Sequence, residues 1–421
     1  MIRFDSSSSI PFGTLGERAH LAYARHQYRL KTSWPRAMEV HLKHILLLSA
    51  YHAQSHRYWS EALIRNFPEY KWTLLSLPPR YFSWRIRGNP LSFMQKYPQE
   101  LAQAYDLCIA TSMVDLCTLR ALIPGLNNTR CMLYFHENQF AYPASEHQRQ
   151  SLEPQMVTLY SALAADQLGF NSDYNCRSFL LGVERLMQSM PDHAPRELSE
   201  RLRQKSAVLP VPLEVPAEQS TKPTPDRKRR SASARPPRLL WNHRWEYDKG
   251  PDLLLEIIGQ LEHSQRPYQL AIVGQRFRQV PAQFEAIQTL IEASNTLELV
   301  QWGYLASRDE YARCLRDSDL VLSTALHDFQ GLAVLEAVAA GCTPILPDRL
   351  VYPEWFDSDY LYRADADVRG SAEAALKRIE AHTHDFPNRP IPDIHAWSWE
   401  ALRPKYREAI AELIGAPPKD P

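Results

Sequence analysis

Leu326-His327-Asp328-Phe329-Gln330-Gly331-Leu332-Ala333-Val334-Leu335-Glu336-Ala337-Val338-Ala339-Ala340-Gly341 is the stretch around which the chain is organised. Leu, Ala and Val dominate from Leu332 and Gly341 supplies a stop, so a short apolar helix is expected after Gly331. The N–H groups at a helix start lack intrahelical partners, and an anion such as a diphosphate can sit there. Asp328 and Glu336 stand eight positions apart, one before the helix and one inside it. An ionised carboxylate accepts several hydrogen bonds, as a polyhydroxylated ligand requires. The stretch alone equally describes an amphipathic helix with a capping Asp and a solvated Glu.

Outward from this helix, short apolar runs alternate with segments of helical spacing. Arg238–Trp241, Gln269–Val273, Leu297–Trp302, Leu320–Ser323 and Thr343–Leu346 read as buried parallel strands. A similar series lies upstream: His44–Ser49, Trp72–Leu77, Asp106–Ala110, Cys131–Phe135, Gln167–Phe170 and Ala207–Val211, with helical spacing at Ser60–Phe67 and Met113–Leu122. Alternating strands and helices define doubly wound α/β domains. Two such domains place a cleft at the carboxyl ends of their strands.

The expected boundaries follow. Residues 1–40, with serines at 6–9, form an extension expected to be disordered. Residues 41–215 form the first domain. Residues 216–237 hold five prolines and the run Arg227-Lys228-Arg229-Arg230, and read as a linker. Residues 238–395 form the second domain, and 396–421 a final amphipathic helix, with Ser398 as its cap, and a tail.

The 421 residues fit two or three domains of ~150 residues each. Lys and Arg balance Asp and Glu at 48 each, so the chain is not basic throughout, although a local basic face can still bind nucleic acid. The six cysteines form no C-x-x-C pair and suit reduced thiols. Neither a membrane-length apolar run nor a signal peptide is apparent, so a cytoplasmic protein without a membrane partner is expected.

After the first strand of the second domain comes Trp241-Asn242-His243-Arg244-Trp245-Glu246-Tyr247-Asp248-Lys249-Gly250. Arg244 offers a planar fork and Lys249 a point charge, a pair suited to a diphosphate. A surface Arg and Lys in a loop is the plainer alternative. Taken with Asp328 and Glu336, the pattern resembles the retaining glycosyltransferases of family 4, which have the GT-B fold. That family carries Arg-x4-Lys after the first strand of its second domain and Glu-x7-Glu after a later one. Val300–Leu305 and Asp319–Ser323 match its spacing.

The first domain resembles a smaller group, the queuosine-tRNA mannosyltransferases. The matching runs are Tyr134-Phe135-His136-Glu137-Asn138-Gln139, Ser49–His56, Phe170-Asn171-Ser172, Pro191-Asp192-His193 and Leu350-Val351-Tyr352-Pro353-Glu354.

The resemblance implies two Rossmann-like domains facing a central cleft, the first on the acceptor side and the second binding the donor nucleotide. It implies transfer of mannose from GDP-mannose to queuosine in tRNA, with no metal. Arg244 and Lys249 would hold the donor diphosphate, with the backbone of Gly331 and Leu332 also facing it. Glu336 would take the ribose hydroxyls. Asp328, one methylene shorter than the family's Glu, would contact the donor sugar, as would His136. His56, Glu137 and Asn138 would face the acceptor.

Arg80-Tyr81-Phe82-Ser83-Trp84-Arg85-Ile86-Arg87-Gly88 interleaves arginines with aromatics. Cations track phosphates while rings stack on bases, so Arg80, Trp84, Arg85 and Arg87 are candidate RNA contacts. An amphipathic surface segment is the alternative. Two rival functions stand beside the main one: a family 4 enzyme with a lipid or glycan acceptor, and a non-catalytic RNA- or nucleotide-binding protein on this fold.

Overall fold

A computed structural model describes residues 42–141, 152–214, 235–277, 279–365, 367–384 and 391–415. The expected extension, all of the linker except 235–237, and the tail beyond 415 lie outside the described residues.

The first sheet contains β1 (His44–Ser49), β2 (Lys71–Ser76), β3 (Leu107–Thr111), β4 (Arg130–Phe135), β5 (Gln167–Phe170) and β6 (Ser206–Val208), ordered β2-β1-β3-β4-β5-β6. Every pairing is parallel. Side chains alternate between faces along a strand. Leu46, Leu48, Cys108 and Ala110 therefore fill one cluster, and Ile45, Leu47, Leu107 and Ile109 another. A sheet covered on both faces needs unbroken apolar runs, which is why these strands were legible.

The second sheet contains β7 (Arg238–Trp241), β8 (Tyr268–Val273), β9 (Leu297–Gly303), β10 (Leu320–Leu322), β11 (Thr343–Pro347) and β12 (Leu361–Tyr362), ordered β12-β11-β10-β7-β8-β9 and parallel throughout. Counted within this domain, the order is that of a Rossmann fold. Strand β12 was not expected, because two residues show no period. Strand β6 stops short of the expected Val211, and Leu209–Leu213 runs on beyond the sheet toward the second domain.

Six helices bear on the site: α1 (Gln54–Asn66), α2 (Phe82–Lys96), α3 (Asp173–Ser189), α4 (Arg308–Asp317), α5 (Leu332–Ala339) and α6 (Trp399–Ile414). Ser398 caps α6 by accepting from the Ala401 N–H, as expected. Helix α6 follows the second domain in sequence but packs Leu402, Tyr406 and Ile410 against the core of the first. The Tyr406 hydroxyl accepts from Trp59 Nε1 at 3.0 Å and donates to the Leu209 carbonyl at 3.1 Å. Among the described residues, no helix is long and apolar enough to cross a membrane.

Candidate active site

Ligands bind where the strand order of such a sheet reverses. In the second domain that point lies between β7 and β10. The loop after β7 ends in a tight turn, Tyr247–Lys249, closed by Gly250 at φ 66°. A Cβ on Gly250 would overlap the Thr324 carbonyl, so only glycine lets this turn lie against the end of β10.

The turn buries Lys249. Its Nζ donates to the His327 carbonyl at 2.6 Å and lies 3.3 Å from Asp248 Oδ2 and 3.9 Å from Asp328 Oδ2. Arg244, half exposed, pairs with Glu246 at 2.6 Å and with Asp248 at 3.4 Å. Two cations and three carboxylates thus share the end of the strand.

Asp328 is held by two donors of its own domain. Its Oδ1 accepts the Gly331 N–H at 2.9 Å, and its Oδ2 accepts the Tyr352 hydroxyl at 3.1 Å. Burial would raise its carboxyl, but Lys249, His243, the Gly331 N–H and the Tyr352 hydroxyl together hold it below the usual range. The Gly331 N–H therefore serves Asp328 and not a phosphate. Helix geometry leaves the N–H groups of Leu332 and Ala333 without intrahelical acceptors. Gly331 takes φ 67°, and a Cβ there would stand 3.1 Å from the Tyr352 ring.

Glu336 lies one turn into α5. Its Oε2 accepts from the Tyr311 hydroxyl on α4 at 3.0 Å, and that hydroxyl accepts from Asn242 at 3.0 Å. Burial pushes the Glu336 carboxyl up, against the downward pull of Tyr311 and Arg308.

The first domain presents His136 and Glu137 just past β4, and His52 and His56 just past β1. The His56 and His136 rings stack at 4.2 Å, and Trp59 and Tyr134 meet His136 edge-on. His56 Nε2 bonds Glu137 Oε2 at 3.2 Å. His136 Nε2 is buried without a hydrogen-bond partner. Burial, with His56 and His52 nearby, drives the His136 pKa well below 6.5, so its imidazole is neutral at pH 7.

The two faces share one electrostatic environment. Burial would raise the Glu137 carboxyl, but His56 and then His327 and Arg244 of the second domain hold it down. Arg244 and Glu246 also act on the Tyr51 hydroxyl, and Glu336 acts on Tyr58 of α1. A separate cavity between Asp106, Arg130 and the end of α6 lies at the opposite ends of the first sheet's strands, and none of these groups lines it.

The remaining candidates are placed differently. Asn138 is fully buried; its amide donates to Asn175 and Ser178 and its oxygen accepts from Phe140 and Ala141, so it fastens the loop and presents nothing to the cleft. Arg80, Trp84, Arg85 and Arg87 lie together at the start of α2. Asp248, His243, His327 and Tyr352 were given no role from the sequence, although all four lie in runs already singled out.

The residues 44–213 match the family model described as tRNA-queuosine alpha-mannosyltransferase N-terminal, and residues 224–386 match glycosyl transferases group 1. A Drosophila melanogaster tRNA-queuosine alpha-mannosyltransferase is 35% identical over 326 residues, 76% of this chain and 83% of that protein. Among solved structures, Anabaena HepE in complex with UDP and glucose superposes with a TM-score of 0.59 at 14% identity, covering 88% of this chain and 100% of that one. A sucrose-phosphate synthase from Thermosynechococcus elongatus gives 0.58 at 14% identity, covering 89% and 99%. These structural likenesses establish the two-domain GT-B fold.

Proposed function

The chain belongs to the tRNA-queuosine alpha-mannosyltransferase family of glycosyltransferases, and from that membership we propose that it moves mannose from GDP-mannose to queuosine in tRNA with retention of configuration. The observation that carries the reading is that Glu137, at the carboxyl end of the first sheet, shares its electrostatic environment with His327 and Arg244 at the carboxyl end of the second.

Breaking the anomeric bond builds negative charge on the leaving diphosphate. Lys249 and Arg244 stabilise that charge, with the N–H groups of Leu332 and Ala333 at the helix start. Lys249 is already desolvated and fixed by His327 and Asp248, so little reorganisation is needed as the charge develops. Glu336 binds the ribose hydroxyls. Asp328, held ionised, accepts from a sugar hydroxyl through whichever lone pairs Gly331 and Tyr352 leave. Neutral His136 hydrogen-bonds the sugar without placing a positive charge beside the forming oxocarbenium ion. Glu137, steadied by His56, faces the incoming hydroxyl. The two cations fill the place of a metal in this scheme.

The test uses GDP-mannose labelled in the sugar, with tRNA that contains or lacks queuosine. Label is expected only in the queuosine-containing tRNA, at a rate indifferent to EDTA. Equal labelling of both tRNAs, or transfer from a UDP-sugar in preference, would refute the acceptor or the donor respectively.

A further inference from the structure

Between Glu69 and Glu100 the chain carries Lys71, Arg80, Arg85, Arg87 and Lys96 and no carboxylate. Half of this stretch folds as α2, whose start neighbours the cleft: Phe82 meets the Tyr51 ring edge-on at 6.3 Å. Pro90 interrupts the helix and cannot donate to the Ile86 carbonyl. The Asn89 amide replaces that bond at 3.2 Å and also reaches Met113, which fixes α2 to the domain.

Three features of this helix start stand out. Trp84 is 53% exposed, and its indole lies forward along the helix over Gly88. A Cβ on Gly88 would fall 2.5 Å from the ring, so the glycine lets the indole lie flat with one face outward. Tyr81 is 69% exposed and takes φ 57°, a left-handed conformation that is strained for a non-glycine residue, with the Arg80 guanidinium 5.4 Å from its ring centre. Arg85 is only 6% exposed, its Nε lacks a hydrogen-bond partner, and no described carboxylate pairs with it.

We propose that Tyr81, Trp84 and Arg85 form a docking site for a single-stranded RNA loop, in which the two rings stack on bases and Arg85 takes a phosphate. The site rests on the tRNA-acceptor reading above and supplies the contact surface which that reading leaves open. A buried guanidinium without a counterion is a receptor for an anion that enters between the rings. Flat rings suit splayed bases, which offer a π-face whatever their identity. An acidic bilayer is the other polyanion to weigh. A membrane anchor, however, projects its ring away from the helix, whereas Trp84 lies along it. Arg85 is also too deeply placed to meet a lipid headgroup plane.

The test measures anisotropy of a fluorescein-labelled RNA hairpin with full-length protein, and sedimentation with phosphatidylglycerol vesicles at the same salt. Trp84→Ala is expected to weaken RNA binding about tenfold, the scale of one lost base stack. Gly88→Ala is expected to do the same by displacing the indole, while its melting temperature holds or rises because Ala favours helix over Gly. Arg85→Ala is expected to weaken binding and lower the salt slope by about one. Unchanged RNA affinity in Trp84→Ala and Gly88→Ala overturns the proposal, as does vesicle binding that is lost in those variants while RNA binding persists. If wild-type protein fails to mannosylate queuosine-containing tRNA but these RNA effects appear, the docking site stands and the acceptor reading falls.

Discussion

At the residue scale the proposed chemistry turns on two buried side chains, Lys249 and His136. Lys249 is surrounded by the His327 carbonyl and the Asp248 and Asp328 carboxylates. Lys249→Ala should lower kcat/KM by about 10²–10³, as loss of an oxyanion donor does elsewhere. Steady-state kinetics with GDP-mannose would check this, and wild-type turnover would contradict the assignment. His136 is neutral, and burial also drives His52, His243 and His327 down to about 4 from 6.5. Below pH 6.5 these side chains take up protons in the unfolded chain that the folded chain refuses. Stability should therefore fall as pH drops from 6.5 toward 4, by up to ~1.4 kcal/mol per pH unit for each histidine. The depressed carboxyls of Asp328 and Glu137 act in the same direction at lower pH. Melting temperatures across pH 7.5 to 5, expected to fall by several degrees for each ~1–2 kcal/mol that one histidine contributes, would test this, and a flat profile would refute it.

At the scale of elements, the loops after β7 and β10 are held together by glycine geometry. Gly250→Ala would drive a Cβ into the Thr324 carbonyl and displace the turn that carries Lys249. A loss of about 1–3 kcal/mol is expected, with a matching fall in GDP affinity. Thermal melting and nucleotide titration of the same variant would show whether the two losses travel together. These elements were legible because a strand buried on both faces and a capped helix carry local signals. Arg244, Lys249, Asp328 and Glu336 were singled out by their joint spacing and by the family resemblance it carries. Tyr352 could not be given its role in that way. Its hydroxyl reaches Asp328 across 24 residues, and no local period reports such a bond. Asn138 shows the converse, since its place in a motif suggested exposure and its packing made it a loop fastener.

Across the whole molecule, two hydrogen-bonded clasps are among the contacts by which the second domain grips the first. The Glu354 carboxylate accepts the N–H groups of Asp173 and Tyr174 at the start of α3, at 2.9 and 2.8 Å. The Gln330 side chain, within the donor loop, bonds both the N–H and the carbonyl of Val211. Glu354→Ala should loosen this grip by roughly 1 kcal/mol, as for a charge at a helix start. An increased radius of gyration in solution scattering and a lower kcat are expected, and unchanged values of both would remove the clasp from the mechanism. The sequence by itself determined two parallel α/β domains, the spacing of Arg244 and Lys249 after β7, the helix start between Asp328 and Glu336, and the family, because each resides in a short window. Only the tertiary structure decided that α6 completes the first core, that Asp248 and Tyr352 orient Lys249 and Asp328, and that Gln330 joins the domains. Those contacts pair residues as far as 347 positions apart, and burial, which shifts the histidines and orphans Arg85, exists only once distant segments have excluded water.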